Sequence, residues 1–458
     1  MTDGAGLNVP RTESLNRGHH VEKSVIGIVV SHADEASTAI GDQLLAAADW
    51  TTVEPGVHRT AEFELREFDD LHLHLDDVAA SFDDPDCVVF ASRHSGDTGA
   101  LLSAHFTGNF GAAELGGADR DLATACPGAH RRVIQALAAN APAGWDVAME
   151  CTHHGPTSVG APAMFVELGS GPAQWQDETG ASAVAQSILA LGDGFATDDT
   201  RTVVVFGGNH YAPRPTRLIL ETDVAIGHVA ADWSLDDLGI PDHHPDVVEA
   251  MFEQSGAECA VFDGAHPEVE AVVEDLGYRV VSETWIRETA GRSMDLVADL
   301  EATLSTVDRG LRFGDDGVAE GAATDLQVRA LPEDLLATCT GIDTEETRRA
   351  VERHAVAFET SESGTLVDGS AAFASEDAYE AFVDDAMSVL EAKFDSVELD
   401  DGAVVVERAA FDPAAAAAAG VPEGPKFGRL AAGEAVTVDG ETIDPDRVRT
   451  RERHEFPV

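Results

Sequence analysis

The stretch Met149–Ser158, MECTHHGPTS, follows an apolar run and sets a carboxylate, a thiol, hydroxyls and two adjacent imidazoles around a Gly-Pro turn. Imidazole and carboxylate transfer protons near neutral pH and ligate zinc. Residues of the same kinds collect at three other places. SRHSGDTGALLSAHFTGNFG, from residue 92, carries Arg93, His94, His105 and Asn109; AMFVELGS, from residue 163, carries Glu167; NHYAPRPT, from residue 209, carries Asn209, His210, Tyr211 and Arg214 and is preceded by Gly207 and Gly208. His94, His105, His153 and His154 are the metal-ligand candidates. Their spacing matches no zinc signature such as HExxH, so it points to a metal without establishing one. Adjacent His153 and His154 cannot both point the same way on a strand, so one of the two is expected at the reacting atoms. Cys151 reads as a small buried residue rather than a nucleophile.

Each cluster follows a run with the texture of a buried strand. Strand candidates are 24–31, 86–92, 144–151, 163–170, 201–208, 223–230, 258–264 and 279–285, with helix-like apolar spacing between several of them. Val/Ile-rich strands alternating with helices predict an α/β sheet covered on both faces, with its site beyond the strand ends. Four strands then deliver His, carboxylate and Arg to one region, as α/β enzymes assemble a site from separated segments.

The wider composition sets the frame. A chain of 458 residues is long enough for two or three domains. Sixteen of the 18 histidines lie at or before His266, so the chemistry is expected in the N-terminal part. The division read from texture is a loose tail at 1–22, a catalytic α/β domain at 23–290, and a smaller α+β extension at 291–458, in which 376–394 reads as an amphipathic helix. Acidic residues number 84 against 29 basic, and they are spread along the chain, which fits a solvated surface adapted to a salt-rich cytoplasm. Molar salt shortens the screening length to about 3 Å and relieves such self-repulsion. No apolar run approaches the roughly 18 residues of a membrane span, and the N-terminus lacks a signal-peptide layout, so the expected compartment is the cytoplasm. Five scattered cysteines without a CxxC pair argue against both a disulfide partner and a thiolate zinc ribbon.

In order and separation, ECTHHGPTS with AMFVELGS, SRH with HFTGNFG, and FGGNHYAPRPT together resemble the archaeal and plant type of D-aminoacyl-tRNA deacylase, over residues 24 to 288. The sequence after residue 290 is similar to the longer members found in salt-loving archaea. The resemblance implies a zinc-associated esterase that removes D-amino acids from mischarged tRNA. It also implies a three-layer α/β/α phosphorylase/hydrolase-like domain with a mixed sheet, and a monomer is favoured. Ester hydrolysis needs an activated water, a stabilised oxyanion and an oriented 3′-terminal adenosine. Glu150, His153, His154, Glu167, Asn209 and His210 are accordingly the catalytic candidates. Arg93, Thr157, Gly207, Gly208, Tyr211, Arg214 and Arg217 are the substrate-binding ones, with Tyr211 or Trp175 available to stack on the terminal base and His130–Arg132 as a second basic patch. Two rivals remain: another α/β hydrolase or phosphorylase acting on peptidyl-tRNA or nucleosides, and a non-catalytic tRNA-binding module.

Overall fold

The computed structural model describes residues 25–194, 201–315 and 326–458, and the tail expected at 1–22 lies outside them. The chain divides into two units, one ending at Val280 and one starting at Val281.

In the first unit eight strands make a mixed sheet: β1 (Ile26–Ser31), β2 (Thr51–Glu54), β3 (Val57–Arg59), β4 (Phe63–Phe68), β5 (Cys87–Arg93), β6 (Leu101–His105), β7 (Asp146–Met149) and β8 (Ala163–Gly169). Their spatial order is β2-β3-β4-β1-β5-β8-β6-β7. Strand β1 is parallel to β4 and β5, and β5 to β8; β6 runs antiparallel to β8 and parallel to β7. The central strands IGIVVS and AMFVELG are buried along their whole length, whereas the edge strand TTVE is exposed.

Helices α1 (Glu35–Ala47), α2 (Pro127–Asn140) and α4 (Glu178–Leu189) cover one face, with the short α3 (Pro172–Trp175) between α2 and α4 in sequence. Asp34 starts α1: its Oδ1 accepts from the amides of Ala36 and Ser37 at 2.9 and 3.1 Å. Its Oδ2 accepts from the amide of Arg93 at 3.1 Å, which ties this cap to the end of β5. On the opposite face Val29, Phe90 and Phe165 pack with Val78, Phe82 and Val159.

Four further strands make a second, wholly parallel sheet in the order β10-β9-β11-β12: β9 (Thr202–Gly207), β10 (Ala225–Ala230), β11 (Cys259–Asp263) and β12 (Arg279–Val280). Helices α5 (Pro213–Glu221), α6 (Asp232–Leu238), α7 (Pro245–Glu253) and α8 (Pro267–Asp275) connect them, and Val204, Phe206, Leu235 and Phe252 form their core. The α/β class stands, with the large sheet mixed. The strands expected in one sheet are divided between two, and the run expected as a strand over 279–285 keeps only its first two residues extended. Ser282 Oγ accepts from the Trp285 amide at 3.0 Å and starts a helix at Glu283 that buries Trp285.

The second unit is α+β. Leu311–Phe313, Gln327–Ala330, Ala355–Ser361 and Leu366–Phe373 form an antiparallel sheet, and Ser396–Asp400, Ala403–Phe411 and Arg449–Pro457 form another. The helix expected over 376–394 spans Glu376–Leu390 and packs Tyr379 and Phe382 against Phe358 and Phe373.

Candidate active site

Strand parity assembles the site. Ser92 of β5 pairs with Glu167 of β8, which pairs with Ser103 of β6; His105 pairs with Phe165, and Leu101 with Asp146 of β7. Side chains alternate across a sheet, so residues two apart share a face. His94, His105, Glu150 and Glu167 therefore stand on the same face at the strand ends, with the Glu150 amide continuing the ladder to Ala104 O at 3.0 Å. The second sheet is stitched on just beyond: the amide of Cys151 donates to His210 O and that of Thr152 to Val229 O, both at 2.8 Å.

The side chains converge around Glu150, which is fully buried. Its Oε2 accepts from His210 Nε2 at 2.7 Å and lies 4.0 Å from His153 Nε2, while its Oε1 lies 3.2 Å from His94 Nδ1. Glu167 reaches His94 Nδ1 at 3.5 Å and His105 Nε2 at 3.6 Å. Burial alone would push His94 toward neutrality, but the two carboxylates outweigh it and lift its pKa to about 10. Its Nε2 then donates to Tyr211 Oη, 3.2 Å away. Burial would equally raise Glu150, yet His210 and His94 hold it well below the ordinary carboxylate range. Burial pushes the Cys151 thiol up to about 12, helped by the Glu150 charge, which favours an S–H facing His210 Nδ1 at 3.5 Å.

Three of the histidines share a further feature. Nδ1 of His105, His153 and His154 lies 3.0, 2.7 and 2.7 Å from the carbonyl oxygens of Phe106, Cys151 and Gly155. A carbonyl only accepts, so each Nδ1 carries hydrogen and each Nε2 is left to bind something else. Ligand atoms of the three rings lie within 4.8 Å of one another. Burial, and then the charge on His105, keeps His153 and His154 neutral, the latter with a pKa of about 4. His105 is the exception: burial opposes its charge, and Glu167 raises its pKa nonetheless. A cation held by the three rings would meet the same carboxylate demand as that proton. Consistent with this, His105 Nε2 is buried without a hydrogen-bond partner among the described residues. Two other donor sets lie alongside, Cys151/His153/His210 and His94/Glu150/Glu167. Only in the His105/His153/His154 set is every Nδ1 turned to a carbonyl oxygen, which points all three Nε2 atoms at a ligand, so this set fits a metal best.

A cleft of about 390 Å³ opens onto these rings, walled by Phe110, Leu115 and Trp233 with His153, His154 and His210. Its loop is locked to the histidine segment: Gly155 N donates to Leu115 O at 3.0 Å and Gly108 N to His154 O at 2.8 Å. His154 itself holds a φ of 43°, left-handed backbone that a non-glycine residue keeps only under surrounding constraint. A Cβ on Gly155 would lie 2.2 Å from Gly117 N, against backbone that cannot yield. Gly155→Ala is therefore expected to cost about 1–3 kcal/mol, seen as a lower thermal-unfolding midpoint, and to slow turnover by displacing this wall.

The family model for D-aminoacyl-tRNA deacylase matches residues 81–281. A D-aminoacyl-tRNA deacylase of Halobacterium salinarum is 54% identical over 429 residues, covering 93% of this chain and 94% of its own. The chain belongs to the D-aminoacyl-tRNA deacylase family. The deacylase of Natronomonas pharaonis is 50% identical, with 94% of this chain and 99% of its own covered. A solved structure of a conserved protein of unknown function superposes with a TM-score of 0.54 at 28% identity, over 58% of this chain and 98% of that one.

In this member of the family the remaining sequence candidates fall in different places. Arg93 lays its guanidinium over Trp175, 5.3 Å from the ring centre, and Trp175 Nε1 donates to His94 O at 2.8 Å, so this pair borders the His94 side of the site. Thr157 Oγ1 accepts from the Ala118 amide at 3.0 Å and anchors the cleft loop, as does Asn109 through Gly116 O and Ala118 O at 3.0 and 3.1 Å. Gly207 and Gly208, at φ of 92° and 87°, back onto Asp263, and the Gly208 amide donates to Asp232 Oδ1 at 3.0 Å. Arg214 Nη1 donates to Phe262 O at 2.8 Å, on the second sheet, and Asn209 is exposed. In the His130–Arg132 patch His130 is buried, Arg131 binds Thr222 O and Arg132 binds Asp193. Sequence reading passed over Trp233, which walls the cleft at 42% exposure; its signal was its place just after a strand, the same that marked the other clusters.

Proposed function

We propose that this chain removes D-amino acids from tRNA by hydrolysing the aminoacyl ester, with a zinc ion held by His105, His153 and His154. The observation that carries the reading is three imidazoles with Nδ1 fixed on carbonyls, set against the Glu150–His210 pair at the mouth of a cleft. When bound there, zinc supplies Lewis acidity and acidifies water near neutral pH. Glu150, kept ionised and oriented by the Nε2–H of His210, is the group that takes up the proton of the attacking water. His94, held positive by Glu150 and Glu167, donates its Nε2–H to Tyr211 Oη and so leaves the Tyr211 hydroxyl to donate toward the developing oxyanion. Arg93, whose guanidinium lies over Trp175 on the His94 side, is the basic side chain this reading gives to the acceptor end.

Among the described residues no helix is long and apolar enough to cross a membrane, and the cytoplasm, where tRNA is charged, is the compartment this reading assigns. The net charge of −55 fits work in molar salt. Diluting KCl from molar to about 0.1 M lengthens screening from about 3 to about 10 Å, so the unfolding midpoint is expected to fall on dilution, by calorimetry across a KCl series. Two substrate classes test the reading against its rivals. N-blocked D-aminoacyl-tRNA should be a poor substrate and nucleosides with phosphate should be inert; turnover of either above that of free-amine D-aminoacyl-tRNA would move the chain to the peptidyl-tRNA or phosphorylase alternative.

A further inference from the structure

His210 carries the opposite tautomer from the carbonyl-anchored trio. Its Nε2 lies 2.7 Å from Glu150 Oε2, and a carboxylate only accepts, so Nε2 bears the hydrogen. In a neutral ring that makes Nδ1 an acceptor in need of a donor. Among the described residues, Cys151 Sγ is the polar atom within hydrogen-bonding distance of it, at 3.5 Å. A thiol keeps its hydrogen at neutral pH, so Sγ donates and Nδ1 accepts.

The same residue holds the backbone of His210: the Cys151 amide donates to His210 O at 2.8 Å, one of the two bonds that stitch the second sheet to the first. Cys151 is fully buried, so its thiol has no solvent to turn to. The rings around His210 limit its tilt, with centres 4.8 Å away in His153, 4.9 Å in Tyr211 and 6.4 Å in Trp233. Ring contacts of this kind do not tell a nitrogen from a carbon at the imidazole edge; a hydrogen bond does. A ring turned over about Cβ–Cγ would set a C–H against Glu150 Oε2, and a ring with its hydrogen on Nδ1 would set a lone pair there. Either change costs the buried Glu150 its donor from His210. We propose that Cys151 is a positioning residue: its S–H locks His210 in the Nε2–H form, and the chain from thiol to imidazole to carboxylate holds Glu150 in one orientation toward the attacking water. The last link rests on the deacylase reading; the lock on His210 does not.

Cys151→Ala removes the donor, and Cys151→Ser keeps one in nearly the same volume. Histidine ¹⁵N spectra of the full chain in molar KCl read the tautomer directly, the His210 signals being those absent from His210→Gln protein. Wild type and Cys151→Ser should show the Nε2–H form alone, and Cys151→Ala a mixture of both tautomers. Release from D-aminoacyl-tRNA should follow the spectra: kcat about tenfold lower in Cys151→Ala with KM unchanged, and restored to within about threefold of wild type in Cys151→Ser. The Nε2–H form alone in Cys151→Ala, or an equal loss of rate in the two variants, would overturn the lock, the second outcome marking a packing effect. Zinc retained by wild type but lost from Cys151→Ala would make Cys151 a ligand and overturn it as well. Folded wild-type protein that releases no D-amino acid would overturn the deacylase reading and the link to the attacking water, while the spectra still decide whether the thiol sets the tautomer.

Discussion

Glu150→Gln is expected to lower kcat/KM for D-aminoacyl-tRNA by about 10²–10⁴-fold, the range lost when a positioned proton-transfer group fails. Glutamine keeps the volume of this fully buried side chain but not its charge. His210 loses the carboxylate that accepts its Nε2–H at 2.7 Å, and His94 loses one of the two charges that keep it protonated. The change should appear in single-turnover rates, with circular dichroism showing retained structure. A loss confined to KM would mean that Glu150 only helps to bind substrate.

His153→Ala is expected to remove both the metal and the activity. His153 belongs to two of the three donor sets, stands 4.1 Å ring to ring from His105 and 4.5 Å from His154, and lies within 4.0 Å of Glu150. Losing one of three ligands should leave less than stoichiometric zinc after dialysis and a rate lowered at least about 10³-fold, the several kcal/mol that a metal contributes to a developing charge. Metal content by plasma emission reads the first and single-turnover release the second. Full zinc occupancy in this variant would move the ion to the His94/Glu150/Glu167 set.

The parts of the fold that showed in the sequence are those in which burial forces a long apolar run. Strands 26–31, 87–93, 163–169, 202–207 and 259–263 are central in their sheets, and 225–230, though last in its sheet, is buried along its whole length, so nearly every position is apolar. The edge strand β2 and its inner neighbours β3 and β4 did not show, because TTVE, VHR and FELREF carry charge and partial exposure. Strand β6 was hidden for another reason: LLSAH lies in a Gly- and Ser-rich stretch whose texture is that of a loop, though it pairs with strands on both sides.

The site was legible as a set of residues but not as a geometry. His94, His105, Glu150, Glu167, His153, His154 and His210 do meet, because all but Glu167 follow or end a strand and Glu167 lies two residues before the end of β8. What separated the imidazoles into a carbonyl-anchored trio and a lone His94 between carboxylates was register across β5, β8 and β6, which spacing along one chain does not contain. The expectation that only one of His153 and His154 approaches the chemistry rested on strand alternation. It did not anticipate the left-handed backbone of His154, which turns both rings toward His105. Two histidines away from the candidate set are held by structural hydrogen bonds: His228 bridges Thr152 Oγ1 and Ala123 O at 3.0 and 2.9 Å, and His72 meets Ser37 Oγ at 3.3 Å.

The most direct measurement is amino-acid release from matched D- and L-aminoacyl-tRNA in molar KCl, with protein as purified, after chelation, and after zinc is restored. Release of the D-form alone, lost on chelation and regained with zinc, is the predicted result. Equal release of both enantiomers, or D-release that survives complete removal of the metal from folded protein, would contradict a zinc-dependent D-aminoacyl ester hydrolase built on His105, His153 and His154.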